Sequence, residues 1–281
     1  MSQSSFGNKF KVTTWGESHG KALGAVVDGC PAGLSLCEED IQVFLDRRKP
    51  GQSKYTTARK EGDLVEILSG VFEGKTTGTP ISLMVRNTDQ RSRDYGNIAY
   101  SYRPGHADYT FDQKYGFRDY RGGGRSSVRE TIGRVAAGAI ASKILCELGI
   151  SICTYTKSIG PVEITTFDKE EINNNAFYMP DALAAAKAGE YLEECMKNQD
   201  SAGGVIECRI SGTPAGLGDP VFDKLNAVLA HALMSIGAVK AVEVGDGIAV
   251  TSLKGSTDND GFTVKDGEIV KTSNHAGGIM G

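Results

Sequence analysis

The chain has 281 residues, of which 40% are hydrophobic and 23% charged, so it is long enough for a sizeable core and has a globular composition. Its formal net charge of −4 disfavours non-specific binding to nucleic acid. It has no apolar run of membrane-spanning length and no signal-peptide pattern, so we expect a cytoplasmic protein without membrane association. The six cysteines show no C-x-x-C spacing and no paired histidine cluster, which indicates reduced thiols and no metal site.

The first unusual feature is GESHG at residues 16–20, a polar triplet between two glycines just ahead of an apolar run. His19 can exchange a proton near neutral pH, and flanking glycines allow a ligand to approach closely. A purely structural histidine in a turn is the alternative. GESHG superficially resembles the G-x-S-x-G nucleophile elbow, but no strand with elbow geometry is predicted immediately before it, so a hydrolase is not predicted.

An internal similarity follows. VVDGCPAGL at Val26–Leu34 resembles RISGTPAGL at Arg209–Leu217. Each copy is followed by a predicted helix (EEDIQVFLDRR and DPVFDKLNAVLAHALMSI) and then by a predicted strand (LVEILSGVFEG and AVEVGDGIAV). We interpret this as a duplicated strand–turn–helix–strand unit, although chance similarity remains an alternative. The fold class is α/β (α+β), in one domain over residues 1–281.

Two basic segments come next. LDRRKPGQSKYTT at residues 45–57 carries Arg47, Arg48, Lys49 and Lys54 around a Pro-Gly turn. It suits either an anion-binding loop or a solvated basic helix end. The segment at residues 102–130 contains RPGHADY and then RGGGRSS, which runs into a predicted helix. Helix N-termini and arginines bind anions, so phosphate binding is predicted there, with plain helix capping as the alternative.

The strongest predicted helix is SSVRETIGRVAAGAIASKILCEL. Ser127 and Glu130 predict a capping box at its start, and its small residues predict close packing. Its apolar face is predicted to consist of Val128, Ile132, Val135, Ala139 and Ile144. A further helix is predicted over DALAAAKAGEYLEECMKNQ. The sequence then stops inside SNHAGGIMG, a second glycine-bordered histidine, so we expect a chain truncated at its C-terminal end.

These residues alone indicate an enzyme that uses histidine acid–base chemistry on a small, multiply anionic substrate, without specifying the reaction. Two other classes stay open. A non-catalytic phosphate- or RNA-binding module would bind with an affinity that falls steeply with salt. A flavin oxidoreductase with net electron transfer would consume NADPH in step with its product.

The motifs resemble those of the chorismate synthase family. GESHGKALGAVVDGCPAG and GRSSVRETIGRVAAGA resemble two family signatures. RPGHADYT, LDRRKPGQSKYTT, TTGTPI and SNHAGGI lie where that family has them, so the resemblance covers essentially the whole chain. The third, C-terminal signature is missing.

The resemblance implies a carbon–oxygen lyase. The implied reaction is the anti-1,4-elimination of phosphate from 5-enolpyruvylshikimate 3-phosphate to give chorismate, the last step of the shikimate pathway. It has no net redox change but requires reduced FMN, which receives the substrate's C6 proton at N5. Some relatives also reduce the flavin with NADPH, and no added domain for that task is visible here.

The resemblance also implies residue roles. His19 would protonate the departing phosphate, and His106 would protonate the reduced flavin or hold its charge. Lys54 stands where the family often has arginine, which keeps the charge but loses the bidentate fork. The substrate-binding positions are Ser18, Arg48, Lys54, Arg103 and Arg125. The flavin-binding positions are Arg125, Ser126, Ser127, Gly237, Ala238 and Gly281.

The family's fold is a β-α-β sandwich with internal pseudosymmetry, and its members assemble as homotetramers. A carboxylate in the missing C-terminal part helps to take the flavin proton. A chain that ended at Gly281 would therefore bind flavin weakly and turn over little. Metal ions have no implied role.

Overall fold

The structure, a computed structural model, describes residues 4–55, 61–88 and 99–280. The chain divides into two compact units, Met1–Thr213 and Pro214–Gly281. No helix in the described part is both long and apolar enough to cross a membrane. That the two units form a single domain over residues 1–281 stays a prediction.

A five-stranded sheet carries the core of the first unit. Its strands are β1 (Ser5–Phe6), β2 (Lys11–Gly16), β3 (Ala22–Asp28), β4 (Val65–Ile67) and β7 (Ile81–Arg86). They lie in the order β1-β2-β3-β7-β4, with every neighbouring pair antiparallel. Alternate side chains of β3 and β7 face the core, because strand residues point to opposite faces in turn. A hairpin of β5 (Val71–Phe72) and β6 (Lys75–Thr76) interrupts the sequence between β4 and β7.

Helices α1 (Glu38–Arg48) and α3 (Thr131–Glu147) cover this sheet, and α2 (Asp108–Tyr115) precedes α3 in the chain. Helix α3 packs against α1, β2 and β3. A Cβ on Gly133 would lie 2.7 Å from the Gly24 carbonyl oxygen of β3, so only glycine permits this approach. The close packing predicted from the small residues is therefore present.

The predicted central helix is confirmed, but its start differs. Val128–Glu130 forms a 3₁₀ turn ahead of α3, and Val128 is exposed. The predicted capping box is wrong, because it would need Ser127 Oγ and the Glu130 carboxylate to bind each other's backbone N–H groups. Ser127 Oγ instead accepts from Arg129 N (3.3 Å), and the Glu130 carboxylate pairs with Arg134 in the next turn (2.8 Å). The rest of the predicted apolar face is buried or packed on the core: Ile132, Val135, Ala139 and Ile144.

A second antiparallel sheet of the first unit has the order β10-β8-β9. Its strands are β8 (Ser151–Ile159), β9 (Val162–Glu163) and β10 (Gly204–Ser211). Helix α4 (Ala182–Lys197) packs on β9 and confirms the helix predicted over residues 181–199. The Asp181 side chain caps it by accepting from Ala184 N (3.0 Å).

The second unit contains α5 (Leu225–Met234), a 3₁₀ turn at Gly247–Ser252, α6 (Gly255–Asp258) and a hairpin of β11 (Phe262–Lys265) and β12 (Glu268–Lys271). The strand predicted over residues 241–250 is wrong. Gly245 and Gly247 have φ of 63° and 56°, and a Cβ on Gly245 would lie 1.9 Å from the His275 carbonyl oxygen. The backbone turns there because it packs against residues 275–277.

The mixture of helices and antiparallel sheets confirms the predicted α+β class. The first copy of the predicted repeat has all four elements, with β3, α1 and β4 following in order. The second copy has β10 in the first unit and α5 in the second, and the structure describes no final strand for it.

Candidate active site

The GESHG sequence forms the turn between β2 and β3. Gly16 ends β2 with φ of 87°, and a Cβ there would lie 2.4 Å from the Ala22 carbonyl oxygen. Glycine is therefore required at this position. Gly20 N closes the turn by donating to Glu17 O (3.1 Å). His19 lies inside this turn and is only 9% exposed.

Ser18 connects the His19 ring to the backbone of a distant loop. Its Oγ lies 3.2 Å from His19 Nδ1 and donates to the Gly122 carbonyl oxygen, also at 3.2 Å. A carbonyl only accepts, so the Ser18 hydrogen points to Gly122 and Ser18 Oγ accepts from His19 Nδ1–H. Nδ1 then carries a hydrogen, and Nε2 is the ring nitrogen at which imidazole gains or loses its second proton.

The RGGGRSS segment needs its three consecutive glycines. Gly122, Gly123 and Gly124 have φ of 71°, 84° and 54°, and other residues adopt such left-handed runs only at high cost. A Cβ on Gly122 would lie 2.2 Å from the His19 ring, and one on Gly123 would lie 3.6 Å from Arg103 Nη2. This glycine turn, residues 122–124, thus touches His19 on one side and faces Arg103 on the other.

Arg125 is bound to strand β2. Its guanidinium donates to Gly16 O (3.0 Å), Thr14 O (3.2 Å) and Thr14 Oγ1 (2.7 Å). It therefore ties the glycine turn to the strand that leads into GESHG. Ser126 Oγ donates to Gly123 O at 2.7 Å. The segment does not run directly into the α-helix as predicted, because the 3₁₀ turn at Val128–Glu130 lies between them.

Arg103 and His106 lie in the loop before α2. Arg103 binds Asp108 in a fork, with Nε–Oδ2 at 2.9 Å and Nη2–Oδ1 at 2.8 Å. The Arg103 guanidinium holds the pKa of Asp108 well below its usual range. The exposed His106 donates from Nδ1 to the Pro104 carbonyl oxygen (3.0 Å), so the hydrogen on Nδ1 is fixed and Nε2 is the other ring nitrogen.

Arg48 belongs to a buried group of four charges that also contains Arg129, Glu61 and Asp63. Arg48 Nη1 lies 2.6 Å from Asp63 Oδ2, and Arg129 Nη2 lies 2.9 Å from Asp63 Oδ1. Arg129 also pairs with Glu61. Two guanidinium and two carboxylate groups balance, which is how charges become tolerable in a protein interior.

Lys54 lies nearer the surface. Its Nζ is 2.5 Å from Glu193 Oε1, and the two side chains are 64% and 45% exposed. The Lys54 pKa is raised, chiefly by its hydrogen bond to Glu193. The end of the basic segment, residues 56 and 57, lies outside the described residues.

The glycine turn is thus the meeting point of Ser18, His19, Arg103 and Arg125. The described contacts of Arg48 and Lys54 are with carboxylates and neighbouring polar groups. Gly237 and Ala238 are exposed in the second unit, where Ala238 has φ of 71°. Gly281 lies outside the described residues.

The second glycine-bordered histidine is His275, in the second unit. Its Nδ1 lies 2.7 Å from Asp246 Oδ2, and this hydrogen bond raises the pKa of His275. Asp260 receives bonds from Ser273 Oγ (2.6 Å) and His275 N (2.8 Å). The hydrogen bond from Ser273, together with those from the backbone N–H groups of Ala276 and His275, lowers the pKa of Asp260 to about 2.

Sequence analysis missed the buried carboxylates Asp63 and Glu61 and the half-buried Asn87, as well as the contacts that Arg129 makes with all three. Each makes its contact across tens of residues, as in the Arg129–Glu61 pair separated by 68 positions. Local spacing carries no signal for such contacts. The glycines of the turn were visible in the sequence, but not their contact with His19.

Fold and site together define an α+β protein in which imidazole and guanidinium groups gather around a glycine-rich turn. A sequence profile for chorismate synthase matches residues 10–281. The chain therefore belongs to the chorismate synthase family, which confirms the resemblance of the motifs. Members of this family are enzymes.

Individual relatives agree. The chain is 67% identical to chorismate synthase of Agathobacter rectalis, over 100% of this chain and 77% of that protein. It is 56% identical to chorismate synthase of Novosphingobium aromaticivorans, over 100% and 79%. A crystal structure of chorismate synthase superposes with a TM-score of 0.82 at 33% identity, covering 97% of this chain and 80% of the other.

Proposed function

We propose that the chain catalyses the anti-1,4-elimination of phosphate from 5-enolpyruvylshikimate 3-phosphate to give chorismate, with reduced FMN as cofactor. One observation carries the proposal: His19 and Ser18 pack against the glycine turn that Arg103 faces, in a chain that matches chorismate synthases along its whole length. In this reaction the C3–O bond breaks, phosphate leaves and C6 loses a proton, so no electrons are gained or lost overall.

His19 is proposed to deliver a proton to the departing phosphate. Its Nδ1–H is held by Ser18, so Nε2–H of the imidazolium is the acid that faces the leaving group. Ser18, bound to Gly122 O, keeps the ring in one orientation while the proton moves. Protonation stabilises the phosphate as its bond to carbon breaks, which is general acid catalysis.

The cations are proposed to hold the substrate's two carboxylates and phosphate. Arg103 faces the glycine turn and is pre-oriented by its fork to Asp108. Arg48, Lys54 and Arg125 are proposed to complete the anion site. His106 is proposed to present Nε2 to the flavin, since its Nδ1 is held by Pro104 O.

The residues around the glycine turn fit a flavin. Ser126 Oγ and Arg103 Nη2 lie 3.0 and 3.6 Å from where a Cβ of Gly123 would be, so polar groups border this part of the turn. The Ser127 hydroxyl accepts from Arg129 N and has no acceptor for its own hydrogen among the described residues, so it can donate to a ligand. Bound reduced FMN would supply electron density to the substrate and a base for its C6 proton.

Further assignments follow from the family. Ser126, Ser127, Gly237, Ala238 and Gly281 are proposed to contact the flavin alongside Arg125. The protein is proposed to work as a cytoplasmic homotetramer without nucleic acid, membrane or metal partners. The elimination itself consumes no NADPH, so any use of NADPH would serve only to reduce the flavin.

The test is phosphate release under anaerobic conditions with reduced FMN, oxidised FMN or no flavin. We expect turnover only with reduced FMN, and one chorismate per phosphate. NADPH consumption in step with product would instead support an oxidoreductase. Salt-sensitive binding of RNA without flavin-dependent turnover would support a binding module.

His19→Ala and His106→Ala separate the two proposed proton roles. Each is expected to lower kcat by about 100- to 10,000-fold, because a general acid or base typically accelerates a reaction by that factor. Circular dichroism and thermal denaturation control for folding. Near-normal turnover of either variant with reduced FMN supplied would remove that histidine from the mechanism.

A further inference from the structure

Asn87 follows directly after β7 and lies beside the turn that carries His19. Its backbone N–H donates to Lys21 O at 3.1 Å, where the chain enters β3. Its side-chain Nδ2 donates to Glu17 O (3.0 Å) and to Gly20 O (2.8 Å). A single carboxamide therefore binds both ends of the GESHG turn.

The other edge of the Asn87 amide is held by Arg129. Arg129 Nε donates to Asn87 Oδ1 at 2.8 Å, and the arginine is only 5% exposed. Arg129 is itself fixed by Asp63 and Glu61. The amide orientation is thereby determined, because a flip would set its oxygen against two carbonyl oxygens and its NH₂ group against a guanidinium.

We propose that Asn87 is a positioning residue that anchors the His19 turn to the buried Arg129 ion cluster. Without the amide, the turn keeps its own bond from Gly20 N to Glu17 O and the bond from Ser18 to Gly122 O, but the side chain that joins it to the Arg129 ion cluster is lost. The inference rests on the proposed function, because an exact His19 position matters for the proton transfer assigned to it.

Asn87→Asp tests this with almost no change in size. The aspartate still accepts from Arg129, but an oxygen replaces the donor that faces Glu17 O and Gly20 O. We expect kcat to fall by about 10- to 100-fold, since a misplacement of about 1 Å has that effect. KM should change little, because the cations proposed to bind substrate are untouched.

The matched control is Asn173→Asp, the same chemical change at an exposed asparagine of a 3₁₀ turn in the same unit. It should show wild-type kinetics. Should Asn87→Asp fail to fold, Asn87→Ala provides the same comparison without added charge. Wild-type kcat in a folded Asn87 variant would overturn the proposal.

A readout that needs no turnover distinguishes positioning from stability. The chain has four histidines, so the His19 ring signals in a ¹⁵N spectrum can be assigned with His19→Gln. In the Asn87 variant we expect the His19 nitrogen shifts and their titration midpoint to move, while those of His106 stay. A lower kcat with unchanged His19 signals would overturn the proposal. Absence of turnover dependent on reduced FMN in the unmodified protein would refute the proposed function, and wild-type turnover of His19→Gln would refute only the proton role of His19. In either case, moved His19 signals would still support the anchoring role.

Discussion

Gly122→Ala is expected to remove most of the activity, because one methyl group collides with the His19 ring. A Cβ at Gly122 would lie 2.2 Å from both Cε1 and Nδ1 of His19 and 3.1 Å from Ser18 Oγ. Atoms in contact lie about 3.5–4.0 Å apart, so the ring must shift by roughly 1 Å or more. Such a displacement lowers a rate by about 100-fold.

The new methyl group also strains the backbone, and Gly116→Ala isolates that effect. Gly116 ends α2 with φ of 79°, close to the 71° of Gly122, and a Cβ there would meet nothing within 4 Å. Both variants carry the cost of a left-handed alanine, about 1–2 kcal/mol. Both should therefore lose this backbone stability, and Gly122→Ala should lose more because it alone meets His19.

The assay is anaerobic phosphate release with reduced FMN, and thermal denaturation gives the stability of each variant. We expect kcat/KM about 100-fold lower in Gly122→Ala than in Gly116→Ala at a temperature where both variants are folded. Equal kcat/KM in the two variants would refute the argument, because the collision would then have no bearing on the chemistry.

Two further predictions concern charged groups. Asp63→Asn should destabilise the protein by about 3–5 kcal/mol in denaturant unfolding, because Arg48 and Arg129 would share a single carboxylate. Asparagine tolerates the φ of 46° at this position, so a loss below 1 kcal/mol, within the usual range of surface changes, would contradict the argument. Asp246→Asn should remove a pH-dependent stabilisation. The raised pKa of His275 makes the pair most stabilising below its usual value of about 6.5, and the effect is lost as pH rises through the raised pKa. Wild-type and variant melting temperatures should converge towards alkaline pH, and a constant difference would count against the pair.

Much of the local structure could be predicted from the sequence because it follows from local causes. Apolar spacing predicted α3, and Asp181 before an alanine-rich run marked the start of α4. The three glycines of RGGGRSS all have left-handed φ values, which is the conformation that glycine alone adopts without cost. What spacing could not predict was the contact of Gly122 with a residue pair more than 100 positions earlier.

The failures share one physical cause, a competing partner that wins over the preference read from the pattern. The stretch at 241–250 has the apolar residues of a strand, but Gly245 packs against the His275 backbone and turns the chain instead. Glu130 stands where a capping box needs it, yet Arg134 offers its carboxylate a charged partner. In both cases the competing partner lies outside the pattern that made the prediction.

Lys54 and Arg48, two of the cations proposed to bind substrate, are each paired with a carboxylate that a substrate anion would have to replace or leave in place. Glu193 can release Lys54 at little cost, because both groups are exposed and their attraction is screened. Asp63 cannot release Arg48 so cheaply, since its carboxylate is fully buried. Arg48 uses Nε and Nη1 for Thr131 and Asp63, and no described residue accepts from its Nη2. A multiply anionic substrate would therefore replace the partner of Lys54 but bind Arg48 through Nη2, while Asp63 stays in place.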